Sequence, residues 1–281
     1  MNIQRIFIQG AGTMGSGIAQ VSAQVGFEVI LMDLSMEILQ KGMNSVEKNL
    51  QRSVDKGKMS AEEKSAILSR IKPTVDLKEA KEADIAIEVV FEDLEVKKKV
   101  FKQLDEICPP HAILASNTSA LPIAAIASVT KRPDKVLGLH FMNPVPVMRG
   151  VEIIRAITTS DETMAIGREF LLKLGKEVCE AVDYAGFIVS RILDAMLNEA
   201  VRCVMDGNKP EEVDKAMEIC TNFPMGPLEL IDLAGVDIVV HGLETMEKDF
   251  GDRFHPAHLL LQMVRAGRLG RKSGKGFYNY T

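Results

Sequence analysis

The stretch Ile6-Phe7-Ile8-Gln9-Gly10-Ala11-Gly12-Thr13-Met14-Gly15-Ser16-Gly17 sets a tight glycine-rich turn between an apolar strand and a helix. Ile3 to Gln9 is rich in β-branched and aromatic residues, as a buried strand requires. Ile18, Val21, Ala23 and Val25 continue an apolar helical face. In such a turn Gly10 takes the backbone angles, Gly12 lets a pyrophosphate approach the main chain, and Gly15 lets helix and strand pack closely. The amides from Thr13 and Met14 onward, with the positive end of the helix, then face an anion. A lone G-x-G-x-x-G is equally a plain structural turn. Here a second strand, Glu28 to Met32, ends in Asp33 about twenty residues on, where a dinucleotide site needs a carboxylate for the ribose hydroxyls. Leu34 and Ser35 follow in place of Arg or Lys, and the Asp33 charge repels a 2′-phosphate, so NAD is expected rather than NADP.

With 281 residues the chain is long enough for two ordinary domains, each with its own core. A content of 46% hydrophobic and 26% charged residues is that of a globular protein, and a net charge of −5 argues against a general nucleic-acid binder or a membrane-surface protein. Cys108, Cys179, Cys203 and Cys220 are far apart, with no C-x-x-C and no histidine at ligand spacing. They are expected to be reduced, mostly buried thiols, with no metal site. No run approaches the roughly 18 apolar residues of a membrane span, and the first residues already read as a strand rather than a targeting segment. A cytoplasmic location is expected.

Beyond Asp33, residues 36–55 form an amphipathic helical pattern closed by Lys56-Gly57-Lys58, and Ser60-Ala61-Glu62-Glu63 reads as a capping box opening another helix. Strands are expected at 71–75, 84–90, 113–116 and 136–140, with a helix from Asp93 to Ile107 that Cys108-Pro109-Pro110 ends. Strand and helix thus alternate, which predicts a doubly wound, Rossmann-type α/β domain with a parallel sheet covered on both faces. Ligand chemistry in such sheets gathers at the carboxyl ends of the strands, where Asn117-Thr118-Ser119 and His140-Phe141-Met142-Asn143-Pro144 sit. Further strands at 151–157 and 177–182 flank a helix at 161–174. From Gly186 the pattern turns helical, over 187–206, 210–221, 227–248 and 256–266. An all-α C-terminal domain is expected, with residues 1–184 as the NAD-binding domain and 185–281 as a helical domain for substrate binding and dimerisation. Its surplus of Leu, Ile and Met residues suggests a homodimer.

Three blocks, Ser116-Asn117-Thr118-Ser119, Gly138 to Met148 followed by Val151-Glu152, and Pro224-Met225-Gly226-Pro227, stand in order after the glycine turn. Together with the tail Gly270-Arg271-Lys272-Ser273-Gly274-Lys275-Gly276-Phe277-Tyr278 they resemble the L-3-hydroxyacyl-CoA dehydrogenases from end to end, and most closely the bacterial 3-hydroxybutyryl-CoA dehydrogenases. The resemblance implies an NAD-dependent enzyme acting on an acyl-CoA thioester. It implies that His140 is the catalytic base, with Glu152 holding its ring, and that Ser119 hydrogen-bonds the reacting oxygen. An imidazole suits that task because its pKa lies near working pH. Glu92, Lys97, Asn117 and Asn143 match positions at the cofactor, Ser119 and Asn143 also at the substrate, and Lys56 matches a lysine associated with CoA phosphate. As bare sequence, Glu92 and Lys97 look like a helix-start carboxylate and a solvated lysine, Lys56 like a solvated helix end, and His140 like a hydrogen-bonded core histidine.

Two departures stand out. In the segment Ala185-Gly186-Phe187-Ile188-Val189-Ser190-Arg191, Ser190 replaces an asparagine that positions substrate in the family, and Arg149-Gly150 replaces Lys-Leu. Besides a short-chain 3-hydroxyacyl-CoA dehydrogenase, the sequence is therefore compatible with a gulonate-type dehydrogenase of another 3-hydroxy acid. It is compatible, too, with a weakly active or non-catalytic binder of NAD or acyl-CoA.

Overall fold

A computed structural model describes residues 3–280. Two compact units divide the chain, one ending at Asp183 and the other starting at Tyr184. In chain order the first holds β1 (Arg5–Gln9), α1 (Thr13–Gln24), β2 (Glu28–Met32), α2 (Met36–Asp55), α3 (Ala61–Ser69), β3 (Ile71–Thr74), β4 (Ile85–Glu88), α4 (Leu94–Ile107), β5 (Ile113–Ser116), α5 (Ile123–Ala127), β6 (Val136–Phe141), β7 (Gly150–Arg155), α6 (Asp161–Lys173) and β8 (Glu177–Val182). The strands make one sheet in the order β3-β2-β1-β4-β5-β6-β7-β8. The order reverses about β1, so the turn after Gln9 lies at the switch point where such sheets open a crevice.

Strands β1 to β6 pair in parallel, whereas β7 runs antiparallel to β6 and carries β8 with it. The wholly parallel reading of the alternation therefore stops at β6. Only residues 142–149 join β6 to β7, and a parallel crossover needs a dozen or more. Side-chain alternation places Ile6, Ile8, Leu31, Ile85, Ile87, Leu137, Leu139, Val151 and Ile153 in one core with Ile18 of α1, Leu39 and Leu50 of α2, and Phe170 of α6. The local signals hold at the helix starts. Ser35, Asp93 and Ser160 cap α2, α4 and α6, and Ser60 and Glu63 form a reciprocal capping box at α3.

The second unit contains α7 (Val189–Met205), α8 (Pro210–Thr221), α9 (Pro227–Ala234), α10 (Val236–Phe250) and α11 (His258–Arg265). The single helix expected over 227–248 is broken in two, because Gly235 adopts φ 110° and ends α9 before α10 begins. Leu197, Val201, Leu228, Ile231, Val240, Leu243, Met246 and Leu260 form its core. Two buried carboxylates fasten the tail to it. Asp232 accepts the amides of Phe277 and Tyr278, each at 2.9 Å, while Asp214 accepts the Leu228 amide and the Tyr278 hydroxyl, each at 2.7 Å. All four cysteines are free, but only Cys108 is buried; Cys179, on the edge strand β8, and Cys220 are exposed, against the expectation of mostly buried thiols. Among the described residues no helix is long and apolar enough to cross a membrane, and no cluster could hold a metal ion.

Candidate active site

Because Ile85 and Ile87, Ile113 and Ala115, Leu137 and Leu139, and Val151 and Ile153 all point into the core shared by α1, α2 and α6, the residues between them point to the opposite face. Glu88, Ser116, His140 and Glu152 therefore project from one side of four adjoining strands. The register joins them: Glu88 pairs with Ser116, Ser116 with Gly138 and, across the antiparallel step, His140 with Glu152. Reversal of β7 thus brings a carboxylate twelve residues downstream directly beside the imidazole. His140 Nδ1 lies 2.7 Å from Glu152 Oε2, and both side chains are almost fully buried. An ionised carboxylate can only accept, so Nδ1 carries the proton and donates it to Glu152, which leaves the ring lone pair on Nε2.

A second group lies on the same face. Lys97 Nζ is 2.6 Å from Glu88 Oε1 and 3.2 Å from Glu92 Oε2, and Lys97 and Glu88 have side-chain exposures of 1% and 0%. The solvated-lysine reading of Lys97 is thereby overturned. On α4 it shares the stripe of Val100, Phe101 and Leu104, at the i, i+3, i+4, i+7 spacing that faces a core. Glu88 also accepts from Ser116 Oγ and from the Val90 amide, each at 2.7 Å. Burial pushes its carboxyl above the ordinary range and Lys97 pulls it back. Glu92 Oε1 in turn accepts the Thr118 hydroxyl in a short hydrogen bond and the Ser119 amide at 2.9 Å. The loop that carries Ser119 is thus tied, through Glu92 and Lys97, to a carboxylate in the sheet. Glu88 and Thr118 were not read as functional from the sequence. An acidic residue closing the apolar strand Ile85-Ala86-Ile87-Glu88, opposite a lysine on an apolar helical stripe, was the available sign.

Asn117 Oδ1 accepts the Phe141 amide at 2.9 Å and so ties the end of β5 to the end of β6. Asn143 is exposed, in a bend whose bond to Pro144 is cis. The buried Lys176 donates from Nζ to the carbonyls of Val145 and Met148, at 2.6 and 2.7 Å, and so holds the loop that leads from β6 to β7. Lys56, the C-cap of α2, is exposed. Ser190 occupies the first turn of α7 in the helical unit, partly buried.

The turn after β1 suits a dinucleotide. Gly10 has φ 116°, and a Cβ on Gly15 would fall on the Gly10 carbonyl. The space a Cβ of Gly12 would occupy has no atom within 4 Å, and α1 starts there with no side-chain cap and no acid in its first turn, which keeps its positive end open to an anion. Thr13 is exposed, and Met14 packs partly against the core. Asp33, at the end of β2, accepts the Ala11 amide through Oδ2 at 2.8 Å and the Leu34 amide through Oδ1 at 2.7 Å. The same carboxylate that is suited to ribose hydroxyls therefore also braces the phosphate turn.

The NAD-binding domain of 3-hydroxyacyl-CoA dehydrogenase matches residues 5–184, and the C-terminal domain of the same family matches residues 186–280. The chain belongs to the 3-hydroxyacyl-CoA dehydrogenase family. It is 47% identical to a probable 3-hydroxybutyryl-CoA dehydrogenase of Bacillus subtilis, over 100% of this chain and 98% of that protein. With the 3-hydroxybutyryl-CoA dehydrogenase of Clostridioides difficile it shares 45% identity over 99% of each. The crystal structure of (S)-3-hydroxybutyryl-CoA dehydrogenase from Ralstonia eutropha superposes with a TM-score of 0.95 at 42% identity, covering 100% of both chains. The protein is accordingly an NAD-dependent oxidoreductase of this family, with the Rossmann-type sheet and helical C-terminal domain that the family has.

Proposed function

We propose that the protein interconverts (S)-3-hydroxybutyryl-CoA, or another short-chain 3-hydroxyacyl-CoA, and the 3-oxo thioester, acetoacetyl-CoA in the four-carbon case. The observation that carries this reading is the buried His140–Glu152 pair at the carboxyl end of β6, in a chain whose relatives are named for that reaction. In oxidation His140 Nε2 takes the proton of the 3-hydroxyl, and Glu152 stabilises the imidazolium through Nδ1–H. Bound NAD supplies the acceptor for the hydride that leaves C3. In reduction the imidazolium returns the proton to the 3-oxo oxygen. Ser119 donates to that oxygen, from a loop whose amide is held by Glu92. Gly10, Gly12, Thr13, Met14, Gly15 and Asp33 hold the diphosphate and adenosine ribose, with Glu92, Lys97, Asn117, Ser119 and Asn143 near the nicotinamide end; Lys97 acts through Glu92, since its own Nζ is buried between two carboxylates. Asn143 and Ser190 meet the acyl group and Lys56 the CoA phosphate.

We assign the cofactor site to residues 1–184, and substrate binding and self-association to residues 185–281. Exposed Ile188, Ile192, Ile219, Leu233 and Ile238 on the helical unit support a homodimer through that unit, to be checked by sedimentation. Four free thiols favour a reducing, cytoplasmic setting. The function is tested by following NADH consumption with acetoacetyl-CoA, with free acetoacetate and with the oxidised form of gulonate. Turnover of the thioester supports the proposal. Turnover confined to a free acid favours the gulonate-type alternative, and binding without turnover a non-catalytic relative.

A further inference from the structure

Lys176 stands between α6 and β8, directly after Gly175, whose φ of 72° turns the chain back at the end of the helix. Its amide donates to the Leu171 carbonyl at 3.0 Å, which completes that turn, and its side chain enters the interior, leaving the residue 7% exposed. A cation taken out of water is unfavourable unless it is compensated. Among the described residues no carboxylate pairs with Lys176, and the adjacent Glu177 is engaged by Arg149 instead. Lys176 meets two backbone acceptors, the Val145 carbonyl at 2.6 Å and the Met148 carbonyl at 2.7 Å. An ammonium has three donors and no acceptor, so it suits a pair of carbonyls turned inward. Neither carbonyl has another hydrogen-bond partner among the described residues, and an apolar side chain at 176 would leave both unsatisfied.

The two carbonyls belong to one turn. The Val147 and Met148 amides both donate to the Pro144 carbonyl, at 2.9 and 3.0 Å, so residues 144–148 close on themselves. Val145 is the one buried residue of the loop 142–149, and it fills the space over Gly17 of α1, where a Cβ would fall 2.9 Å from the Val145 Cβ. Val145 thus seats the turn on α1, and Lys176 binds it from the start of β8. Asn143 immediately precedes this turn. On its other side the Phe141 amide is held by Asn117 Oδ1, so Asn143 spans two fixed points, one of which Lys176 makes. We infer that Lys176 is a positioning residue of the reaction, which sets Asn143 against the cofactor and the acyl group by fixing the turn that begins at Pro144. The inference rests on the proposed reading in which Asn143 meets both. A misplacement of about 1 Å costs such a group up to about a hundredfold in rate.

The test is a cycle of variants, read as kcat at saturating NADH on acetoacetyl-CoA or on the short-chain 3-oxoacyl-CoA that the parent reduces best. Lys176→Met nearly keeps the length of the side chain and removes its donors. Gly17→Ala disturbs the same turn from the opposite side by crowding Val145. Each is made in the parent and in Asn143→Ala. In the parent each is expected to lower kcat about tenfold or more. In Asn143→Ala each is expected to lower it by no more than about twofold, because the group that the turn places is already gone. A side chain that only stabilised the fold would act equally in both backgrounds. An equal loss in both, or a parent-like kcat in Lys176→Met or in Asn143→Ala, would therefore overturn the inference while leaving the proposed function standing. Should Lys176→Met fail to fold, Gly17→Ala decides by the same criteria. A parent that turns over no short-chain 3-oxoacyl-CoA would overturn the proposed function and the inference with it.

Discussion

Replacing Lys97 by methionine removes the cation from the most deeply buried ion pair of the sheet unit while nearly preserving side-chain volume. Glu88, with no solvent exposure, loses a partner at 2.6 Å and keeps two neutral donors, Ser116 Oγ and the Val90 amide. Breaking a buried pair from one side costs about 3–5 kcal/mol, and the two retained donors put this case near about 3 kcal/mol. For a unit of this size that lowers Tm by about 6–12 °C. The pH dependence has a definite sign. Burial already raises the folded-state pKa of Glu88 above its unfolded value of about 4.3, and loss of Lys97 raises it further. A carboxyl group raised on folding binds its proton more tightly in the native state, so stability falls as pH rises from the unfolded toward the folded value. The deficit of Lys97→Met relative to the parent therefore grows with pH. Scanning calorimetry is the assay, because the chain has no tryptophan and Tyr184, Tyr278 and Tyr280 all lie in the helical unit. Adding Glu88→Gln to Lys97→Met should recover more than half of the loss. A single variant as stable as the parent at every pH, or a double variant as weak as the single, would refute the buried-pair account.

Asp33→Ala is expected to weaken NADH binding, measured by titration, and to narrow the gap to NADPH, because the ribose acceptor and the Ala11 brace are lost together; equal use of NADPH by the parent would contradict this. Ser190→Asn restores a longer donor, and kcat on acetoacetyl-CoA should rise about tenfold, equivalent to ~1.4 kcal/mol of barrier; no gain on any 3-oxoacyl-CoA would show that the shorter reach of the Ser190 hydroxyl does not limit the rate. Glu152→Gln should lower kcat less than loss of the imidazole does and should shift the pH–rate profile, since Glu152 acts through Nδ1 of His140. An unchanged profile would remove it from the mechanism.

Much of the sheet unit was legible because its signals are local. The glycine turn with Asp33, the capping box at Ser60 and the Pro-Pro stop after Cys108 each rest on a few neighbouring residues, and the elements formed where those residues require. Partnerships across the chain were not legible. That β7 turns back on β6 depends on the length of a loop and on pairing, and only this antiparallel step gives His140 a carboxylate at bonding distance. Without the resemblance, Glu152 was one acid in an apolar strand. Glu88 went unread, and Lys97, placed at the cofactor only by the resemblance, looked like a solvated lysine on its own, for the same reason: each breaks an apolar pattern on its own element, and the two form one buried pair. In the helical unit, periodicity ran through Gly235 because the apolar spacing continues across it, and only a backbone with positive φ shows the break.

The central claim is that His140, oriented by Glu152, moves the proton of the reacting oxygen. It is tested most directly by measuring kcat for NADH-dependent reduction of acetoacetyl-CoA in the parent and in His140→Gln, with the NADH dissociation constant measured for both. The expected result is a fall in kcat of about 10²- to 10⁴-fold, the usual contribution of a positioned acid–base group, with NADH affinity unchanged. A His140→Gln variant that retained the parent kcat would contradict the claim.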